Sequence, residues 1–244
     1  MTGVQTCALP ISGTTTFNLN LNELIEEAFE RCGAELRTGY DLRTARRSLN
    51  LLTIEWANRG INLWTLEQGS IPMVQGQITY DLPADTIDLI EHVIRTQTGQ
   101  GQTDININRI SVDTYATIPN KNAQGRPIQV WINRQSGADY PVDGVAYPQI
   151  NVWPAPEQSN YYTFVYWRLR RIQDAGNGVT TQDIPYRFLP VMVAGLAYYL
   201  SLKIPDALTR TEMLKAMYDE AWQLAADEDR EKAPLRIAPR QYFR

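Results

Sequence analysis

Side chains that ordinarily carry covalent or acid–base chemistry are scarce in this 244-residue chain. It has one histidine, His92, and two cysteines, Cys7 and Cys32. His92 sits beside Glu91 inside an apolar stretch and reads as a partly exposed strand residue. A lone histidine without neighbouring cysteines does not build a zinc site, and no serine elbow or Ser/Cys–His pairing surrounds it. Cys32 falls on an apolar helical face, where a free cysteine behaves as a small hydrophobe. The glycines form neither a phosphate loop nor a dinucleotide fingerprint. Carboxylate pairs such as Asp139 and Asp143 can be drawn almost anywhere among 27 acids, so they specify nothing. The expectation is a protein with no catalytic residues, no cofactor and no metal, and not an enzyme.

Binding chemistry is better represented. The final stretch, 232–244, carries Lys232, Arg236, Arg240 and Arg244 and no acid, so of a net charge of −4 the rest of the chain carries −8. Leu235, Ile237, Tyr242 and Phe243 interleave with these cations. Apolar residues would be idle against phosphates, so the segment suits insertion into a protein groove better than nucleic-acid binding. Pro234 and Pro239 and the lack of a helical stripe make it an extended basic arm. Its candidate binding residues are Leu235, Arg236, Ile237, Arg240, Tyr242, Phe243 and Arg244. A second cationic group, Arg43, Arg46 and Arg47, lies off the apolar stripe of a helix. It reads as a solvated face or as a contact to a neighbouring subunit or DNA.

The elements that position these residues follow from periodicity. Residues 1–16 are set aside as a non-native leader, because Thr2–Ile11 resembles the translation of a sequencing-adapter oligonucleotide. Asn20 with Glu23 three residues on marks a helix start, and Leu21, Leu24, Ile25, Ala28, Phe29 and Cys32 share one face before Gly33 stops it. A second helix from about Asp41 to Gly60 has the stripe Leu42, Ala45, Leu49, Leu52 and Trp56. From residue 62 to 182 the pattern changes to short strands. A hairpin is expected from Ser70–Val74 and Gln77–Leu82 around Gln75-Gly76, a strand over Ile87–Arg95, and another through Ile128, Val130 and Ile132 with Trp131 on its reverse. Ser136–Pro148 reads as a long loop. Gln149–Ile172 reads as a second hairpin whose aromatic strand, Tyr161–Leu169, belongs in the middle of a sheet. A third helix, Pro185–Lys203, is apolar nearly all round and so buried, with Gly195 admitting a close neighbour. A fourth runs from Pro205-Asp206 to about Asp229 with the stripe Leu214, Met217, Tyr218, Ala221, Trp222 and Ala225.

The fold class is therefore α+β. Two helices before (17–61) and two after (183–231) make a split helical bundle, with an inserted antiparallel β-sandwich or barrel-like domain (62–182) and the arm at 232–244. With 43% hydrophobic and 20% charged residues, and with Phe188–Leu202 too short to span a bilayer and interrupted by Pro190, the expectation is a soluble protein with no membrane contact, made in a reducing cytoplasm.

A series of motifs along this frame resembles a known group. In order they are Gly76-x-x-x-Tyr80-x-Leu82-Pro83, Gly125-Arg126-Pro127, Ile150-x-Val152-x-Pro154-x-Pro156, Tyr166-x-Arg168, and Pro185 opening a helix through Gly195-Leu196-Ala197. Their order, over residues 17–231, resembles the head-to-tail adaptor proteins of short-tailed bacteriophages, the tail tubular protein A-like group. The resemblance implies a virion structural protein of the neck or tail, assembled in the host cytoplasm. It implies a homo-oligomeric ring of about twelve copies beneath the portal protein, attached to a tail or nozzle protein, with double-stranded DNA passing through without specific binding. By position it implies that the arm, Leu235–Arg244, reaches along the portal. Subunit contacts would draw on the apolar third helix and the loop edges of the sheet. The alternative is a β-sandwich recognition module for carbohydrate or protein on a helical stalk, using exposed aromatics such as Trp131 or Trp153. A cell-wall hydrolase is a third class, without a recognisable site.

Overall fold

Asn20 opens the first helix, α1 (Leu21–Cys32), by a reciprocal cap. Its side-chain oxygen accepts from the Glu23 amide, and the Glu23 carboxylate accepts from the Asn20 amide, both at 3.0 Å. Two of the orphan donors at the helix start are satisfied in this way. Gly33 ends the helix at φ 76°, a left-handed conformation that lets its N–H reach the Glu30 carbonyl. The sequence expectation holds at both ends.

Our computed structural model describes residues 17–60, 63–96, 101–134, 147–176 and 182–230. The helices gather into one compact unit, built from the described residues up to Asn58 and from Gln173 onward, and the strands into another, Arg59–Ile172.

In the helical unit, α2 (Gly39–Arg59) begins two residues before the expected start. Thr38 is the reason, because its hydroxyl accepts from the Asp41 amide at 3.2 Å while the Asp41 carboxylate accepts from the Thr38 amide at 3.0 Å. Ala45, Leu49, Leu52 and Trp56 are buried as the stripe requires, and Leu42 is half-buried. Each later helix is entered through a 3-10 segment, Tyr186–Phe188 before α4 (Leu189–Ser201) and Pro205–Arg210 before α5 (Thr211–Glu228).

The apolar α4 is buried at every residue except Pro190, Tyr198 and Tyr199, and both α1 and α5 pack on it. Gly195 makes this possible. A Cβ there would lie 2.9 Å from side-chain atoms of both Leu52 and Tyr218. Around it Trp56 packs against Phe188 and Trp222 at ring distances of 5.7 and 5.3 Å and donates its indole N–H to the Tyr218 hydroxyl at 2.9 Å. On α5 Leu214, Tyr218 and Ala225 are buried, but Met217, expected in the core stripe, is exposed.

The β unit has eight strands among the described residues. They are β1 (Leu66–Pro72), β2 (Thr79–Asp81), β3 (Thr86–Thr96), β4 (Thr103–Asn106), β5 (Asn108–Arg109), β6 (Gln129–Asn133), β7 (Gln149–Trp153) and β8 (Tyr162–Arg170). They form two four-stranded sheets, ordered β1-β8-β3-β4 and β2-β7-β6-β5. Leu89, Ile94, Tyr162, Phe164 and Tyr166 of the first sheet and Tyr80, Val130, Ile132, Ile150 and Val152 of the second share one core. This is the sandwich of the sequence reading, not a closed barrel, and β5 runs parallel to β6 in an otherwise antiparallel arrangement.

Both expected hairpins are corrected. The Gln75-Gly76 turn exists, with Gly76 at φ 74°, but β1 and β2 lie in different sheets. β1 pairs with β8 from Leu66↔Leu169 to Pro72↔Thr163, and β2 pairs with β7. Likewise β7 and β8 are in different sheets, and the proline-rich link between them crosses the sandwich. Aromatic β8 is an inner strand, as expected, with Tyr162, Phe164, Tyr166 and Arg168 facing inward. A short helix, α3 (Val112–Ala116), capped by the Ser111 side chain, had no counterpart in the sequence reading.

Arg168 is the charged group inside this sandwich, 8% exposed. Its guanidinium bonds Glu67 of β1 at 2.6 and 3.1 Å, Thr86 of β3 at 3.0 Å, and Asp85. Burial pushes the Asp85 carboxyl up, but the Arg168 hydrogen bond and charge outweigh it and hold the group below its usual range. A buried cation held by two carboxylates ties the inner strand to both flanking strands.

Candidate interaction surface

His92 and Cys32 both lie in the interior. His92 is not a partly exposed strand residue. It is 8% exposed, its ring stacked on Phe164 at 5.9 Å, with neither nitrogen closing a hydrogen bond of good geometry. Burial depresses its pKa, Arg109 adds to that, and Glu91 and the Ile107 backbone pull the other way. The buried Cys32 thiol donates to the Ala197 carbonyl at 3.0 Å. Burial pushes its pKa up to about 11 against the pull of Arg210, which leaves it protonated and unreactive. Among the described residues no cluster of His, Cys, Asp and Glu could hold a metal ion, and no helix is long and apolar enough to cross a membrane. Asp139 and Asp143 lie outside the described residues, as do the leader, most of the Ser136–Pro148 loop, and the arm with Leu235, Arg236, Ile237, Arg240, Tyr242, Phe243 and Arg244.

What remains is surface, and the helical unit carries two distinctive faces. The first follows from the spacing of glutamates in α1. Glu23, Glu26, Glu27 and Glu30 recur at i, i+3, i+4 and i+7, which places all four on one side of the helix, opposite its buried stripe. Glu23 is occupied by the Asn20 cap and Glu27 pairs with Arg31 at 2.9 Å. Glu26 and Glu30 are exposed and have no cation partner among the described residues. Like charges at i and i+4 oppose helix formation by a few tenths of a kcal/mol per pair, so the local stability of α1 accounts for Glu23 and Glu27 but not for Glu26 and Glu30. These acids form one wall of a cleft of about 510 Å³, whose apolar floor comes from Leu19 and from Leu189, Pro190 and Val193 in the first turns of α4, with exposed Phe17 at its rim. The sequence reading passed over the stripe. Its signal, four glutamates at helical spacing against an apolar face, is legible in 21–32.

The second face is on α5. Met213, Met217 and Leu224 are 55%, 44% and 68% exposed, and positions 0, 4 and 11 of a helix fall within about 40° of each other. Leu208, in the 3-10 turn that enters α5, is exposed as well. An apolar line of this kind on an otherwise charged helix is the composition of an association surface. By contrast α4, expected to supply subunit contacts, has its apolar surface consumed inside its own unit.

In the β unit the two tryptophans expected as exposed aromatics, Trp131 and Trp153, are half-buried. Trp131 stacks on Tyr115 at 5.2 Å, with the Lys121 ammonium 5.4 Å from the Tyr115 ring centre. The Trp153 indole donates to the Asn120 carbonyl at 3.0 Å. Both indoles thus hold the 111–121 segment against the second sheet. Arg109 and Arg134 share Asp88 at 2.9 and 3.1 Å, which neutralises much of the cationic character of the cleft beside Trp131. On α2, Arg43 and Arg47 are exposed and Arg46 is half-buried.

Compared with known proteins, residues 19–238 match the family model described as SU10 adaptor protein. No curated protein matches.

Proposed function

The chain belongs to the SU10 adaptor protein family, a group of phage head-to-tail adaptors, and on that premise we propose that it forms a ring beneath the portal, extends the DNA channel and gives the tail its attachment surface. The observation that carries the reading is the span of the match, which runs from the cap of α1 past the end of α5 and so takes in both units. Three features support the finer description. An apolar line on α5 suits side-by-side packing of copies around a closed ring. The net −8 charge outside the arm disfavours the counterion-release attraction that would grip passing DNA. The basic arm, Leu235–Arg244, has the alternation of cationic and apolar side chains that a groove on another protein would take, and we assign it to the portal.

The arm assignment is tested by co-sedimentation of the full chain with the portal protein of the same phage. Substituting Leu235, Tyr242 and Phe243 by serine should weaken the apparent Kd at least about ten-fold, which corresponds to roughly 1.4 kcal/mol. Undiminished sedimentation would take the arm out of portal attachment.

A further inference from the structure

We infer that the acid-walled cleft of the helical unit holds this chain's own basic arm, Lys232–Arg244, before assembly. The two are chemically matched. The cleft sets Glu26 and Glu30 beside apolar surface that Phe17, Leu19 and Pro190 leave open. The arm sets three arginines and a lysine among Leu235, Ile237, Tyr242 and Phe243. A peptide with one of these properties alone would satisfy one wall and leave the other bare.

The end of α5 decides whose arm it is. Asp229, one residue past the helix, is buried and paired with Arg187, and Arg187 stands two residues before Leu189 at the cleft. The described chain therefore ends, at Arg230, beside the α4 end of its own cleft. Thirteen residues, nearly extended, span about 40 Å, whereas the twelve residues of α1 are about 18 Å long. Reach is ample, and a short tether gives the arm an effective concentration on the order of millimolar, which another copy at ordinary dilution does not match.

The docked arm is unavailable to other proteins and is released only where a better groove is offered. That release step rests on the portal reading above; the docking does not. Loss of portal binding with the cleft contact intact, or the reverse, tells the two apart.

The test measures binding of a fluorescein-labelled synthetic Lys232–Arg244 peptide to three full-length proteins by anisotropy, with light scattering to record their size. The proteins are the wild type, R236E/R240E, and R236E/R240E with E26Q/E30Q. All changed positions lie in the arm or on exposed faces, and far-UV circular dichroism checks that the fold is kept. The R236E/R240E protein should bind the peptide at least about ten-fold more tightly than the wild type, whose cleft is filled. Adding E26Q/E30Q should lower that affinity about ten-fold again, and added salt should weaken it. Three results overturn the inference. Equal binding to wild type and R236E/R240E, including none to either, means that the own arm does not occupy the cleft. Indifference to E26Q/E30Q means that the arm docks elsewhere. A wild type that blocks the peptide only as a dimer, and loses the block on dilution, means that a second copy's arm is the occupant.

Discussion

The two units close their cores by different means and so leave different surfaces. The helical unit is organised on α4, a helix with almost no polar side, and glycine at 195 lets α2 and α5 come close enough to cover it. Its polar ties are few, among them the buried Trp56–Tyr218 bond and the Arg187–Asp229 pair. With the core met by one central helix, the outer sides of α1 and α5 are not needed for folding and carry the acid stripe and the apolar line. The β unit spends its side chains inward. Its inner strand β8 brings an arginine into the core, and Glu67 of β1 and Asp85, just before β3, supply the carboxylates that neutralise it. Its indoles pin a loop segment. Sequence variation in the helical unit's outer faces should therefore alter association, and in the β unit's interior should alter stability.

The largest effect expected lies in the helical core. Trp56→Ala removes a fully buried ring that touches Phe188 and Trp222 and leaves the Tyr218 hydroxyl without its donor. A loss of about 3–5 kcal/mol is expected, seen as lost amide-exchange protection in α2, α4 and α5. Retained protection would show that α4 does not depend on this cover.

Next is Arg168→Met, which keeps the stem and deletes the charge. Removing one partner of a buried pair commonly costs about 3–5 kcal/mol, but Glu67 and Asp85 are 51% and 47% exposed and can be hydrated, so about 2 kcal/mol is expected. Urea denaturation followed by near-UV signal from the β unit measures it. An unchanged midpoint would mean that packing alone joins β8 to its neighbours.

A smaller effect should appear with pH. His92 has a folded-state pKa below its ordinary value near 6.5, first through burial. The unfolded chain then binds more protons as the pH drops below 6.5, so stability is complete above that value and is lost as pH falls toward and through the depressed pKa. Melting of the wild type should be lower at pH 5.5 than at 7.5, and His92→Phe should flatten the difference. A pH-independent melt for the wild type would contradict the burial assigned to the ring.

The smallest effect on folding should come from Met213→Ser with Met217→Ser. Exposed substitutions of this kind stay within about 0.5 kcal/mol, while ring formation on the portal should weaken. A large loss of stability would show that this face is covered by the chain itself.

The legibility of the molecule follows the same division. Helix starts, stops and stripes are local, so Asn20, Gly33 and the buried side of α1 could be read directly. The start of α2 lies two residues earlier than its apolar stripe indicates, because the Thr38–Asp41 cap sets it. Strand pairing is not local. Leu66 finds Leu169 about a hundred residues away, and nothing near Gln75-Gly76 or Pro154 shows that the chain changes sheets there, since turn chemistry is the same for a hairpin and a crossing. Met217 was assigned to the core because composition cannot tell an inward apolar stripe from an outward one on a helix that has both. The motif order sufficed for the family because it samples turns and helix starts, the parts of a sequence most tightly bound to backbone geometry.

Imaging the purified chain with the portal protein of the same phage by electron cryomicroscopy tests the adaptor role most directly. A closed ring should cap the portal, copies side by side through α5, with the channel continuous across both proteins. Portal particles that remain bare at saturating concentrations of the chain would contradict it.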